Sequence, residues 1–68
     1  MLDGKSALRK VNNEIDYNQR LIQFWKDRLP KIQGLQTIRW YKESIESRER
    51  KIQELEKERD MYEFEELL

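Results

Sequence analysis

Apolar residues recur at steps of three and four from Leu8 onward: Leu8, Val11, Ile15, Ile22, Trp25, Leu29 and Ile32. The polar Asn18 occupies the one slot that breaks the run. This spacing puts a single stripe along one face of an α-helix, at the a and d positions of a heptad. A second stripe runs Ile38, Tyr41, Ile45, Ile52, Leu55 and Tyr62, interrupted by Arg48 and Arg59. No alternation of period two appears, so strands are not expected. The pattern predicts an all-α chain built as an antiparallel two-helix coiled-coil hairpin.

The reversal is expected in DRLPKIQGLQT, residues 27–37. Pro30 lacks an N–H and disfavours helix at Leu29, and Gly34 suits a left-handed C-terminal cap. Helix 1 therefore covers about 5–29, or kinks at Pro30 and continues to about 33. A turn follows near 30–36, and helix 2 covers about 37–66. Asp3 or Ser6 can cap helix 1, and Glu46 with Arg50 has the spacing and polarity of a favourable ion pair in helix 2.

Folding the chain back around Leu35 pairs residues whose numbers sum to about 70. Ile32 then meets Ile38, Leu29 meets Tyr41, Trp25 meets Ile45 and Ile15 meets Leu55. Asn18 and Arg48 fall in adjacent layers of that register. A tighter turn, with sums near 67, brings them into the same layer. A parallel pairing of straight helices does not bring them together, which favours the hairpin. As a layer, Asn18 and Arg48 can lock register and partner choice. Alternatively, Arg48 only extends its guanidinium out of the seam to water.

Two helices share a single seam, yet the apolar stripe is wider than one seam needs. Leu21 lies beside Ile22, Phe24 beside Trp25, and Trp40 beside Tyr41. A wide stripe serves a helix with two neighbours. Two hairpins dimerising into a four-helix bundle is the arrangement expected.

Composition narrows the class further. Sixty-eight residues make a single domain, 1–68, small enough that such folds usually need disulfides, metals or self-association. Cysteine and histidine are both absent, so disulfides and the commonest transition-metal ligands are excluded. Charged residues make up 41% of the chain. Leu, Ile, Val and Phe nevertheless supply a quarter of it, above the roughly 20% level at which disorder is expected. No apolar run approaches the roughly 20 residues that span a bilayer, and MLDGKSALRK has no signal-peptide core. A cytoplasmic protein with no membrane association is expected.

Net charge is zero, but the charges are segregated. Residues 1–42 hold nine Lys/Arg against four Asp/Glu, and residues 43–68 hold five against ten. Folding the hairpin gathers Arg20, Lys26, Arg28, Lys31, Arg39 and Lys42 near the turn. Glu54, Glu56, Glu58, Asp60, Glu63, Glu65 and Glu66 gather at the open end. The result is a rod with a basic, aromatic tip and an acidic tail, a polarity that favours antiparallel self-association and steers oppositely charged partners.

Phe24, Arg28, Lys31, Arg39 and Trp40 form the expected partner-binding set, because arginine and tryptophan dominate binding hot spots. Bases among aromatics can also grip phosphates and stack nucleobases. Set against this, each aromatic lies on or beside the stripe, as core or dimer-interface residues would. The sequence pI near 6.3 also lacks the basic footprint of a dedicated nucleic-acid protein.

Catalytic chemistry finds little support. A nucleophile needs an adjacent base, and neither histidine nor cysteine is present. The carboxylates lie on exposed helix faces, where nothing separates their pKa values. Gly4-Lys5-Ser6 resembles the end of a phosphate-binding loop but lacks the upstream glycine and a feeding strand. The Asp60–Glu66 run lacks the turn glycine of a calcium loop. The closing EFEELL has the loose form of an acidic dileucine signal, and it serves equally as an apolar helix end.

The expected function is a non-enzymatic binding or regulatory module, without cofactor or metal. It forms a homodimer and acts on a protein partner with an acidic surface. Size and charge are those of many small prokaryotic or phage accessory and inhibitor proteins. The alternatives are a nucleic-acid-binding accessory factor that uses the tip, and a structural scaffold coiled coil.

Overall fold

The computed structural model describes residues 4–67. Helix α1 spans Gly4–Arg28 and helix α2 spans Leu35–Leu67, with a 3-10 turn at Leu29–Lys31 between them. The two helices pack against each other as a hairpin. The rod measures 51 × 18 × 14 Å. The fold is thus the all-α helical hairpin that the heptads predict.

Pro30 decides where α1 ends. Its ring disfavours α geometry at Leu29, and it has no N–H to return to the preceding turn. The helix stops at Arg28 and tightens into the 3-10 turn, which closes with the Ile32 amide donating to the Leu29 carbonyl at 3.1 Å. Ile32 then turns extended, at φ −81° and ψ 135°. Of the two expected endings, the earlier one occurs. Lys26 and Arg28 occupy the last turn of α1, where cations offset the partial negative charge of the helix terminus.

Gly34 takes the left-handed backbone expected of it, at φ +99°, but not the expected role. It does not cap helix 1. It stands immediately before α2, and its carbonyl accepts the Ile38 amide at 3.0 Å, the first bond of that helix. Helix α2 therefore starts two residues ahead of Thr37. At the other end, Asp3 lies outside the described residues, and Ser6 lies inside α1 rather than before it. The ion pair within one helix joins Arg20 to Asp16 at 3.0 Å on α1; Glu46 and Arg50 on α2 do not form theirs.

The core is narrow. Val11, Ile15 and Ile22 from α1 meet Ile45, Ile52 and Leu55 from α2, with Trp25 and Tyr62 packed against them. All eight are a or d positions of the two stripes. Leu29, Ile32 and Ile38 are only half-buried, so the layers nearest the turn do not close as tightly as the expected register requires.

Adding a Cβ at Gly34 meets nothing closer than the Thr37 hydroxyl, 3.9 Å away. Any loss on substitution is therefore conformational. Gly34→Ala is expected to lower stability by about 1–2 kcal/mol, the penalty for an L residue in left-handed backbone. Thermal melting followed by circular dichroism measures it. An unchanged melting temperature would mean that the turn adopts another conformation in solution.

Candidate interaction surface

One polar layer interrupts the apolar seam. Arg48 Nη1 donates to Asn18 Oδ1 at 3.2 Å, across the seam. Asn18 Nδ2 donates in turn to the Glu14 backbone carbonyl at 2.7 Å, one helical turn back. The asparagine amide is thus used on both sides although the residue is only 5% exposed. No buried side-chain nitrogen or oxygen among the described residues lacks a partner. Arg48 itself is half-buried and also lines an open groove with Trp25, Trp40, Glu43, Ser44 and Ser47. It therefore joins the layer and reaches solvent at once.

Asn18 meets Arg48 and Trp25 meets Trp40, pairs whose numbers sum to 66 and 65, in accord with the tighter of the two expected registers. In it Ile22 stands level with Ile45, Ile15 with Ile52 and Val11 with Leu55, the same six residues that are buried.

With the register known, the two flanks of the seam can be compared. One flank carries Asn12, Gln19 and Lys26 of α1 beside Lys42, Glu49 and Glu56 of α2. It is wholly polar, and Lys26 Nζ approaches Glu49 Oε1 at 3.9 Å across it. Both side chains are half-exposed, so the pair contributes little.

The other flank is different. On α1 it carries Leu21, with Tyr17 and Phe24 just outside, at spacings of four and three. On α2 it carries Ser44, with Trp40, Ser47 and Met61 outside. Tyr17, Phe24, Trp40 and Met61 are each at least half-exposed. Trp25 leans to this side, meeting Trp40 edge-on with ring centroids 5.8 Å apart. Trp40 also contacts Tyr41, at 5.3 Å between centroids.

The expected partner-binding residues separate on this frame. Arg28 lies over the Phe24 ring, its guanidinium carbon 4.5 Å from the centroid. Such an exposed cation–π contact is worth about 0.5–1 kcal/mol. Phe24, Arg28 and Lys31 line one shallow depression with Asp27 and Ile32. Trp40 belongs to the neighbouring groove with Trp25. Arg39 is exposed on α2, about 100° around the helix from Trp40 and away from both depressions.

Two features were not singled out by sequence reasoning. Tyr17 continues the Leu21–Phe24 stripe, and its signal was the 17, 21, 24, 28 spacing that parallels the core stripe. Met61 places an apolar side chain on the same flank at the acidic end. At that end the Tyr62 hydroxyl also donates to Glu58 Oε1 at 3.2 Å. The hydrogen bond to the Glu58 carboxylate, then its charge, then burial and the Glu65 charge hold the phenol above its ordinary pKa of 10.0. The folded state therefore favours the neutral phenol. Any stability it contributes is full below pH 10 and is lost as pH rises through the raised value.

No cluster of three or more potential metal ligands occurs among the described residues, and no described helix is long and apolar enough to cross a membrane. The geometry defines a two-faced helical hairpin of coiled-coil type, with one exposed aromatic flank. No family model matches the chain, and no curated protein or solved structure shows significant similarity to it.

Replacing both members of the polar layer tests its purpose. Asn18→Leu with Arg48→Leu is expected to raise stability by about 1–4 kcal/mol, as apolar replacement of buried polar groups often does. It should also broaden the range of assemblies formed, because Leu at both slots no longer penalises shifted pairings. Melting and sedimentation velocity read the two effects. A more stable protein with the parental assembly would assign the layer no part in register.

Proposed function

We propose that this hairpin is a non-enzymatic, self-associating binding module that works by protein–protein interaction. Its tip, through Phe24, Arg28, Lys31 and Trp40, with Arg39 on a separate exposed face, engages an acidic protein surface. The observation that carries this reading is the half-exposed Phe24 under the Arg28 guanidinium, beside a half-exposed Trp40. Large aromatics left uncovered at the end of a thin core, next to unpaired bases, are the usual anchors of an interface. A cytoplasmic accessory or inhibitor role fits this size and surface. The apolar flank is extensive and the chain as a whole carries no net charge, which favours a protein partner over nucleic acid, where phosphate contacts dominate.

Self-association makes stability depend on concentration. A hundredfold dilution is expected to cost about 2.7 kcal/mol of apparent stability and to lower the melting temperature. Identical melting across that range would show that the hairpin is stable alone.

The tip is tested by affinity capture from lysate of the native source, with nuclease present, comparing the parent with Arg28→Glu/Arg39→Glu. The variant is expected to keep its helicity and lose the captured protein. Undiminished capture would place contact elsewhere, and loss of capture from the parent on adding nuclease would favour the nucleic-acid reading.

A further inference from the structure

We infer that the acidic surface met by the tip is the tail of a second copy, so that two hairpins pair head to tail through their aromatic flanks. This rests on the self-associating module proposed above and adds the identity of the occupant, its face and its orientation.

Three observations converge on that arrangement. The first is one-sidedness. Leu21, Tyr17, Phe24, Trp40 and Met61 share a flank, whereas the opposite flank is polar and bridged by Lys26 and Glu49. Apolar groups stand at both ends of the flank, not at the tip alone. A surface that must match itself after a twofold rotation needs that distribution.

The second is charge. On this flank the tip carries Arg28 and Lys31, and the open half carries Glu14, Glu54, Glu58 and Glu65, with Lys10 and Lys51 opposing. Parallel pairing of two copies sets like charges together at both ends. Antiparallel pairing sets unlike charges together at both ends.

The third is the helix dipole. Helix α2 has no acidic residue in its first turn and no basic residue in its last. Its C-terminal partial negative charge is instead crowded by Glu63 and Glu65, an unfavourable arrangement. In the observed register Gly4 stands level with Tyr62, so the last residues of α2 run past the described start of α1. Nothing in the described hairpin supplies a compensating cation there. The basic tip of a second copy does.

Length fits as well. Leu35 and Leu67 bound α2, so two fully overlapping rods are centred on Lys51. Trp40 of one copy then stands level with Met61 and Tyr62 of the other, and Phe24 stands level with Asp60 and Met61. Arg28 reaches the level of Phe64 and Glu65. At both ends aromatic meets apolar, and base meets acid, without sliding either rod, while Lys51 lies level with its own copy at the centre.

A charge-swap experiment tests this in the full chain. One variant reverses the tip, Arg28→Glu with Lys31→Glu, and another reverses the tail, Glu58→Lys with Glu65→Lys. All four side chains are exposed, and circular dichroism of each variant verifies helicity. Sedimentation equilibrium at low salt is expected to show a dimer for the parent. Each variant alone should dimerise roughly a hundredfold more weakly, because like charges now meet at both ends. Mixed in equal amounts, the two should recover a dimer near parental affinity. A parental dimer unmoved by either reversal would overturn the head-to-tail geometry while leaving the self-associating module standing. A folded parental monomer would overturn both.

Discussion

The hydrogen bond from Arg48 to Asn18 joins the two helices at the one polar contact within a seam otherwise closed by apolar side chains. Apolar heptads alone tolerate sliding, since one isoleucine opposite another differs little from the next pairing along. A polar slot does not tolerate it. Moved by one layer, Asn18 would face an apolar side chain, and its buried amide would lose its cross-seam partner at a cost of about 1–3 kcal/mol. The register in which Asn18 and Arg48 share a layer is therefore the one that leaves neither of them opposed by hydrocarbon. Which residues flank the seam follows from that pairing.

The turn cooperates with the layer from the opposite direction. Pro30 stops α1 at Arg28, and the 3-10 turn with Gly34 allows α2 to start at Leu35. Few residues are then left to span the gap between helices, so the reversal is tight and the partner sums fall to 66. A longer connection would have suited the looser register with sums near 70. The shorter one leaves Leu29, Ile32 and Ile38 beside the reversal, where each lacks a neighbour on one side. This explains why apolar residues of the same type are buried at Ile45 and only half-buried at Ile38.

Much of this was legible in the sequence, for identifiable reasons. The heptad period gives helices directly, and Pro30 with Gly34 gives the reversal. The two polar slots signalled that they meet. What remained ambiguous was counted in single residues: which of two registers, which of two helix ends, and which helix Gly34 serves. Those depend on backbone geometry through five or six residues, where proline and glycine each permit more than one path. The candidate surface was legible in part. Phe24, Trp40 and Arg28 stood out by type, but their placement relative to Arg39 needed the register. Tyr17 and Met61 emerged only once one flank could be separated from the other.

That separation carries the functional reasoning furthest. A hairpin that ended its existence as a monomer would gain from polar residues on both flanks, because every exposed aromatic favours unwanted association. Here the flank bridged by Lys26 and Glu49 follows that rule, and its opposite does not. Among the described residues six apolar side chains are buried in the core, while Tyr17, Phe24, Trp40 and Met61 stand outside it on one side. The apolar area outside the core is thus comparable in kind to the area within it. Neither described helix lies over that flank. A second copy turned around is the occupant proposed for it, because the charges of such a copy complement this rod at both ends.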